Sequence, residues 1–141
     1  MNKIIALSGA FDPPTIGQTQ MISHASRLGD VIIILNSDNW ISKRKFRIFL
    51  SRDQRKQILL KMPGVIDIID AEDEDGTVCK NLRDLRPDMF GNGGYRTPEN
   101  TPEIELCREL GIELVWQIGS VEDTKNIEKL YKKVILDGQE K

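Results

Sequence analysis

Short apolar runs alternate with helix-period segments along this chain, and that alternation limits the possible fold more than any other feature. Ile4 to Leu7 is brief, apolar and bounded by turn residues, the pattern of a buried strand. From Gly17 onward Met21, Ile22, Ala25 and Leu28 recur at helical spacing, and Gly29-Asp30 closes that helix. Val31 to Leu35 is β-branched and Leu-rich, as an interior parallel strand should be. Asn36-Ser37-Asp38-Asn39 breaks it, and a loop is predicted from there to Leu50. Ser51-x-x-Gln54 is a capping box that opens a helix carrying Ile58, Leu59 and Met62 on one face, ended by Pro63-Gly64.

The second half repeats the scheme. Val65 to Ile69 is a third strand, followed by an acidic stretch at 70–75 that reads as a solvated loop. Asp75 or Thr77 is expected to cap a helix bearing Val78, Leu82 and Leu85, stopped by Pro87. Asp88-Met89-Phe90 is a short fourth strand, and the Gly-bearing loop Gly91 to Thr101 can bring its backbone close to a ligand. Thr101, with Pro102 at the first helical position, begins a helix ending at Leu110-Gly111. Glu113 to Ile118 is the fifth strand, and Ser120-x-x-Asp123 opens a terminal helix with Ile127, Leu130, Tyr131, Val134 and Ile135 on one face. Strands joined by helices through short connections predict a single α/β domain over 1–141, a Rossmann-like open parallel five-stranded sheet with helices on both faces. The ligand of such a sheet sits beyond the carboxyl ends of the strands, at the point where the strand order reverses.

The turn Ser8-Gly9-Ala10-Phe11-Asp12-Pro13-Pro14-Thr15-Ile16-Gly17-Gln18 lies there. A helix starting near Gly17 turns unpaired N–H groups and a positive dipole end toward the bend, which is the physics of a phosphate seat. Lys43, Arg44, Lys45, Arg47, Arg52, Arg55 and Lys56 gather basic charge in a chain of net charge −2, and as a group they suggest an anionic ligand. The overall acidity argues against nucleic acid or an anionic membrane as partner. No apolar run approaches a membrane span, and no basic-then-apolar leader precedes the first strand. The two cysteines, Cys79 and Cys107, lack metal-ligand spacing and read as buried reduced thiols of a cytoplasmic protein.

Gly9-Ala10-Phe11-Asp12-Pro13-Pro14-Thr15-Ile16-Gly17-Gln18 resembles the signature turn of the cytidylyltransferase-like nucleotidyltransferases, G-x-F-D-x-x-H-x-G-H. The order of Leu35 to Trp40, Lys43 to Lys45, Ser51 to Leu59, Val65-Ile66-Asp67 and Phe90 to Gly94 is similar to the glycerol-3-phosphate cytidylyltransferase type. The resemblance implies that a phosphorylated polyol or sugar attacks the α-phosphorus of a nucleoside triphosphate, with CTP the one expected, and with Mg²⁺ carried by the triphosphate. Pyrophosphate leaves, and catalysis is positioning plus charge neutralisation. It also implies a homodimer. By this resemblance Gly9, Ala10, Phe11, Gly17, Thr15, Gln18 and Lys45 hold the triphosphate, with Lys43 and Arg44 as further contributors. Asp12 shapes the turn, while Arg55, Gly91, Asn92, Gly93 and Gly94 border the base or the acceptor. Arg96, Ser120 and Thr124 are further phosphate contacts.

Thr15 and Gln18 stand where the pattern has histidines, Tyr95 where relatives commonly have Asp, and Gln117 with Glu122-Asp123 near a late Arg and Ser/Thr motif. Thr15 can still donate a hydrogen bond, and Gln18 keeps donors without ever being cationic. Losing one charge-stabilising donor typically costs on the order of 10²–10³ in rate. Two readings therefore stand side by side: a nucleotidyltransferase, and a catalytically silent protein of the same fold that binds nucleotide or serves in an assembly. In the assembly reading, Trp40, Phe46, Tyr95 and Trp116 are the candidate anchors, with core packing on the fifth strand the expected role of Trp116.

Overall fold

A computed structural model describes residues 2–44, 47–93 and 96–119. Five strands, β1 (Ile4–Gly9), β2 (Asp30–Leu35), β3 (Val65–Asp70), β4 (Met89–Gly93) and β5 (Glu113–Ile118), form one sheet in the order β3-β2-β1-β4-β5. Every pairing is parallel. β1 runs alongside β2 in unbroken register from Ile4↔Asp30 to Gly9↔Leu35, whereas it meets β4 only at Ile5↔Met89 and Ala6↔Phe90. The order reverses between β1 and β4, and there the carboxyl ends of the two strands part.

Both faces of the sheet are covered, which is why its central strands carry unbroken apolar runs, Ile4 to Leu7 and Val31 to Leu35. Ile5, Leu7, Val31, Ile33 and Leu35 point to one side, where Ile22 and Ala25 of helix α1 (Ile16–Leu28) and Leu59 of α3 (Arg52–Leu60) pack on them. Ala6, Ile34 and Phe90 point to the other, against Leu82 of α4 (Cys79–Leu85) and Leu106 and Cys107 of α5 (Ile104–Leu110). The period-two alternation of a strand thus builds two cores from one sequence run.

Helix ends follow local chemistry. Ser51 caps α3 as predicted, with its side chain accepting from the Gln54 N–H and the Gln54 side chain accepting from Ser51 N–H. Three expectations are corrected. The predicted loop at 36–50 contains a helix, α2 (Asp38–Arg44), which buries only Ile41 and so leaves no periodicity to read. Val78, rather than Asp75 or Thr77, holds the cap position of α4 without a side-chain bond of its own; the Thr77 hydroxyl still accepts from Cys79 N at 3.3 Å, while Asp75 closes a turn on the N–H and hydroxyl of Thr77. Gly91 to Gly93 belong to β4, and α5 begins at Ile104 rather than at Pro102. The terminal helix predicted from Ser120 lies outside the described residues.

The acidic stretch after β3 is also more than a solvated loop. Asp73 is buried, and its carboxylate accepts from Asn36 Nδ2 (3.0 Å), Ser37 N (3.0 Å) and Ser37 Oγ (2.7 Å). Three donors converging on one ionised group make a strong local tie. It fixes the end of β2 against the loop that leads to α4.

Candidate functional site

A crevice of about 400 Å³ opens where β1 and β4 part. Its floor is the carboxyl end of β1 (Ser8, Gly9, Ala10) and of β4 (Gly91, Asn92, Gly93). One wall is the first turn of α1 with Gly17, Gln18 and Met21, and another is Asn36 with Trp40 and Arg44 of α2. Thr77, Val78, Arg96 and Glu103 close the far side.

The turn after β1 is held by its own side chains. Phe11 is fully buried at φ 51, and its ring fills the space beside Gly9, where an added Cβ would stand 2.8 Å from Phe11 Cε2. Gly9 is required by that ring. Asp12 is buried, and its carboxylate accepts from the N–H groups of Phe49 (2.9 Å) and Leu50 (2.6 Å), so it ties the turn to the segment before α3. Both residues shape the crevice from behind its wall.

Thr15 and Gln18 form a capping box. Thr15 Oγ1 accepts from Gln18 N at 3.2 Å, and Gln18 Oε1 accepts from Thr15 N at 2.9 Å. Thr15-x-x-Gln18 is the same pattern as Ser51-x-x-Gln54, and its spacing announces a helix start. Reading the turn as a degraded histidine motif obscured that signal. Gln18 still lines the crevice, and the amide of Gly17 belongs to a helical first turn without intrahelical acceptors. The dipole end of α1 therefore remains turned to the crevice, while the side-chain oxygens of Thr15 and Gln18 serve as acceptors in the cap.

The basic cluster is dispersed. Arg55 does not border the crevice: its guanidinium is wholly buried, donating from Nη1 to Ala10 O (2.9 Å) and Asn36 O (3.0 Å) and from Nη2 to Asp38 Oδ1 (2.5 Å). It pins the ends of β1 and β2 together, with its Nε left unpaired. Arg52 pairs with Asp70 and Asp53, and the Asp70 hydrogen bond is the main reason its pKa is raised. Arg47 lies 5.9 Å from the Phe49 ring. Lys43 faces a second cavity, beside Asp73, Glu74 and Asp75. Of the group, Arg44 reaches the crevice, stacked 4.6 Å above Trp40.

Gly91, Asn92, Gly93 and Arg96 line the crevice. Gly91 is glycine for packing, since a Cβ there would lie 2.7 Å from both Leu7 Cδ2 and Ile118 Cδ1. Asn92 spans the register break between β4 and β5, donating to Phe90 O (3.3 Å) and Val115 O (3.4 Å). Arg96 donates to the buried Glu103 at 3.3 Å, which offsets its charge. Lys45, Gly94, Ser120 and Thr124, like Tyr95 and Phe46, lie outside the described residues. The 36–50 loop, with Asn36, was expected around the crevice, whereas sequence reasoning missed Thr77 and Glu103, because only the tertiary fold brings the loop after β3 and the start of α5 to it.

Among the described residues no group of three or more His, Cys, Asp or Glu is placed to hold a metal ion, and no helix is long and apolar enough to cross a membrane. Both cysteines are free.

Comparisons with known proteins agree with this architecture. The chain is 32% identical over 132 residues to the bifunctional protein HldE of Syntrophotalea carbinolica, covering 90% of this chain and 26% of that protein. It is 28% identical over 136 residues to HldE of Trichlorobacter lovleyi, covering 93% and 27%. The chain thus spans about a quarter of the length of these relatives. The crystal structure of the lipopolysaccharide core biosynthesis protein from Thermoplasma volcanium superposes with a TM-score of 0.69 at 16% identity, covering 86% of this chain and 100% of that one, a likeness of fold. The model of the cytidylyltransferase-like family matches residues 6–141, and the chain belongs to that family.

Proposed function

We propose that this domain transfers a nucleoside monophosphate from a nucleoside triphosphate to a phosphorylated sugar or polyol. A phosphate oxygen of the acceptor attacks the α-phosphorus, the bond to the bridging oxygen breaks, and pyrophosphate leaves with Mg²⁺. The observation that carries the reading is the crevice at the strand-order reversal, with the first turn of α1 as a wall, in a member of the cytidylyltransferase-like family. An already ionised nucleophile needs no strong base, so positioning and charge neutralisation suffice. Backbone amides at the start of α1 and the guanidinium of Arg44 supply both. Mg²⁺ enters with the triphosphate. CTP is the first nucleotide to test because of the family, and a homodimer, checked by light scattering, is part of the proposal.

The test is pyrophosphate release from each of the four triphosphates against a panel of phosphorylated sugars and polyols. Release with one pair, at a rate well above buffer, supports the transferase. A second reading, a silent nucleotide-binding protein, is favoured by the capping box that occupies Thr15 and Gln18. Measurable nucleotide binding by calorimetry with no release from any pair selects that reading instead.

A further inference from the structure

The crevice has an electrical polarity. At one side is the amide-bearing, positive end of α1. At the other is Glu103, a carboxylate only 2% exposed that lines the same cavity. Phosphate is drawn to the amides at the start of α1, whereas the Glu103 carboxylate, its charge already met by Arg96, offers acceptor oxygens to donors, and this difference orients a bound phosphorylated molecule. The Glu103 side must then receive hydrogen-bond donors.

Glu103 has capacity for them. Its Oε1 accepts from Arg96 Nη1 at 3.3 Å, and its Oε2 from Val78 N at 3.4 Å. Both contacts are long, and an ionised carboxylate offers about four lone-pair sites. Arg96 holds the group in place, while its guanidinium remains about one-third exposed.

We propose that Glu103, braced by Arg96, reads the hydroxyls of the bound ligand, accepting from a vicinal diol at the end of the crevice away from α1. This rests on the crevice holding a nucleotide or a phosphorylated sugar, as above. Two sources carry such a diol: the ribose of the nucleotide, and the sugar or polyol of the acceptor. A carboxylate that loses a hydroxyl partner keeps its burial without its compensation, so the deoxy compound should bind at least about tenfold more weakly.

Calorimetry with the wild-type chain and with E103Q separates the sources. In the first arm each ribonucleoside triphosphate is compared with its 2′-deoxy and 3′-deoxy forms; in the second, phosphorylated sugars with and without the diol are compared by binding and by KM. A wild-type preference of about tenfold for the diol in either arm, falling to within threefold in E103Q, supports the proposal and names the source. Equal affinity for diol and deoxy forms in both arms, measured on the wild type alone, overturns it even if E103Q fails to fold. An E103Q protein that binds every ligand equally more weakly also overturns it. Wild type that binds nucleotides and acceptors without diol preference leaves the transferase reading standing, whereas wild type that binds neither removes both.

Discussion

At the scale of single residues, burial decides what a side chain is for. Arg55 was chemically suited to an anion, yet the fold uses its planar, multiply donating head on two carbonyls and Asp38. Replacing it with Met should destabilise the chain by about 3 kcal/mol in denaturant unfolding, since two buried carbonyls lose their donor. Cys107 gives a second prediction. Burial, helped by the nearby Glu103 and Cys79, pushes its thiol from 9.0 to about 11. The folded state then keeps a proton that the unfolded chain releases. Stability is complete below pH 9 and declines as pH rises through about 11, by roughly 2–3 kcal/mol. C107A should show a flatter alkaline limb when unfolding free energy is measured against pH. The burial of Cys107 was expected from the sequence, whereas Cys79, expected to be buried as well, is only half-buried; the role of Arg55 was not legible, because an Arg looks the same in one dimension whether it faces solvent or a carbonyl.

At the scale of elements, periodicity and caps made most of the fold legible. The strands were readable because both faces of the sheet are covered, so apolar residues run without interruption, as from Val31 to Leu35. The short, polar α2 was not, since its single buried residue, Ile41, cannot define a period. The cap of α1 was readable and passed over. T15A and Q18A should each lower stability by about 1 kcal/mol, with S51A as a matched comparison at α3. A double-mutant cycle on Thr15 and Gln18 should give a coupling of about 0.5 kcal/mol or more, and additive losses would refute the reciprocal cap. The close packing of β4 on β1 and β5 predicts that G91A costs about 1–3 kcal/mol, because the added methyl overlaps Leu7 and Ile118.

At the scale of the whole molecule, the strand order β3-β2-β1-β4-β5 does what no residue does alone: it creates the crevice. The sheet, its layers and the loops at the carboxyl ends of β1, β2 and β4 that ring the crevice followed from the alternation of strands and helices, but Thr77 and Glu103 in its lining did not, since they reach it only after folding. A ligand seated there binds the folded chain alone, so saturating nucleotide at about 100 times its Kd should raise unfolding free energy by about 2.7 kcal/mol, visible as a rise in Tm. The reciprocal cap at the start of α1 has a consequence for lineage. Thr15 and Gln18 reward folding whether or not any reaction takes place, so descendants would retain them under selection for a stable domain alone. Their persistence in a relative would therefore say nothing of whether an ancestor's chemistry was kept or abandoned.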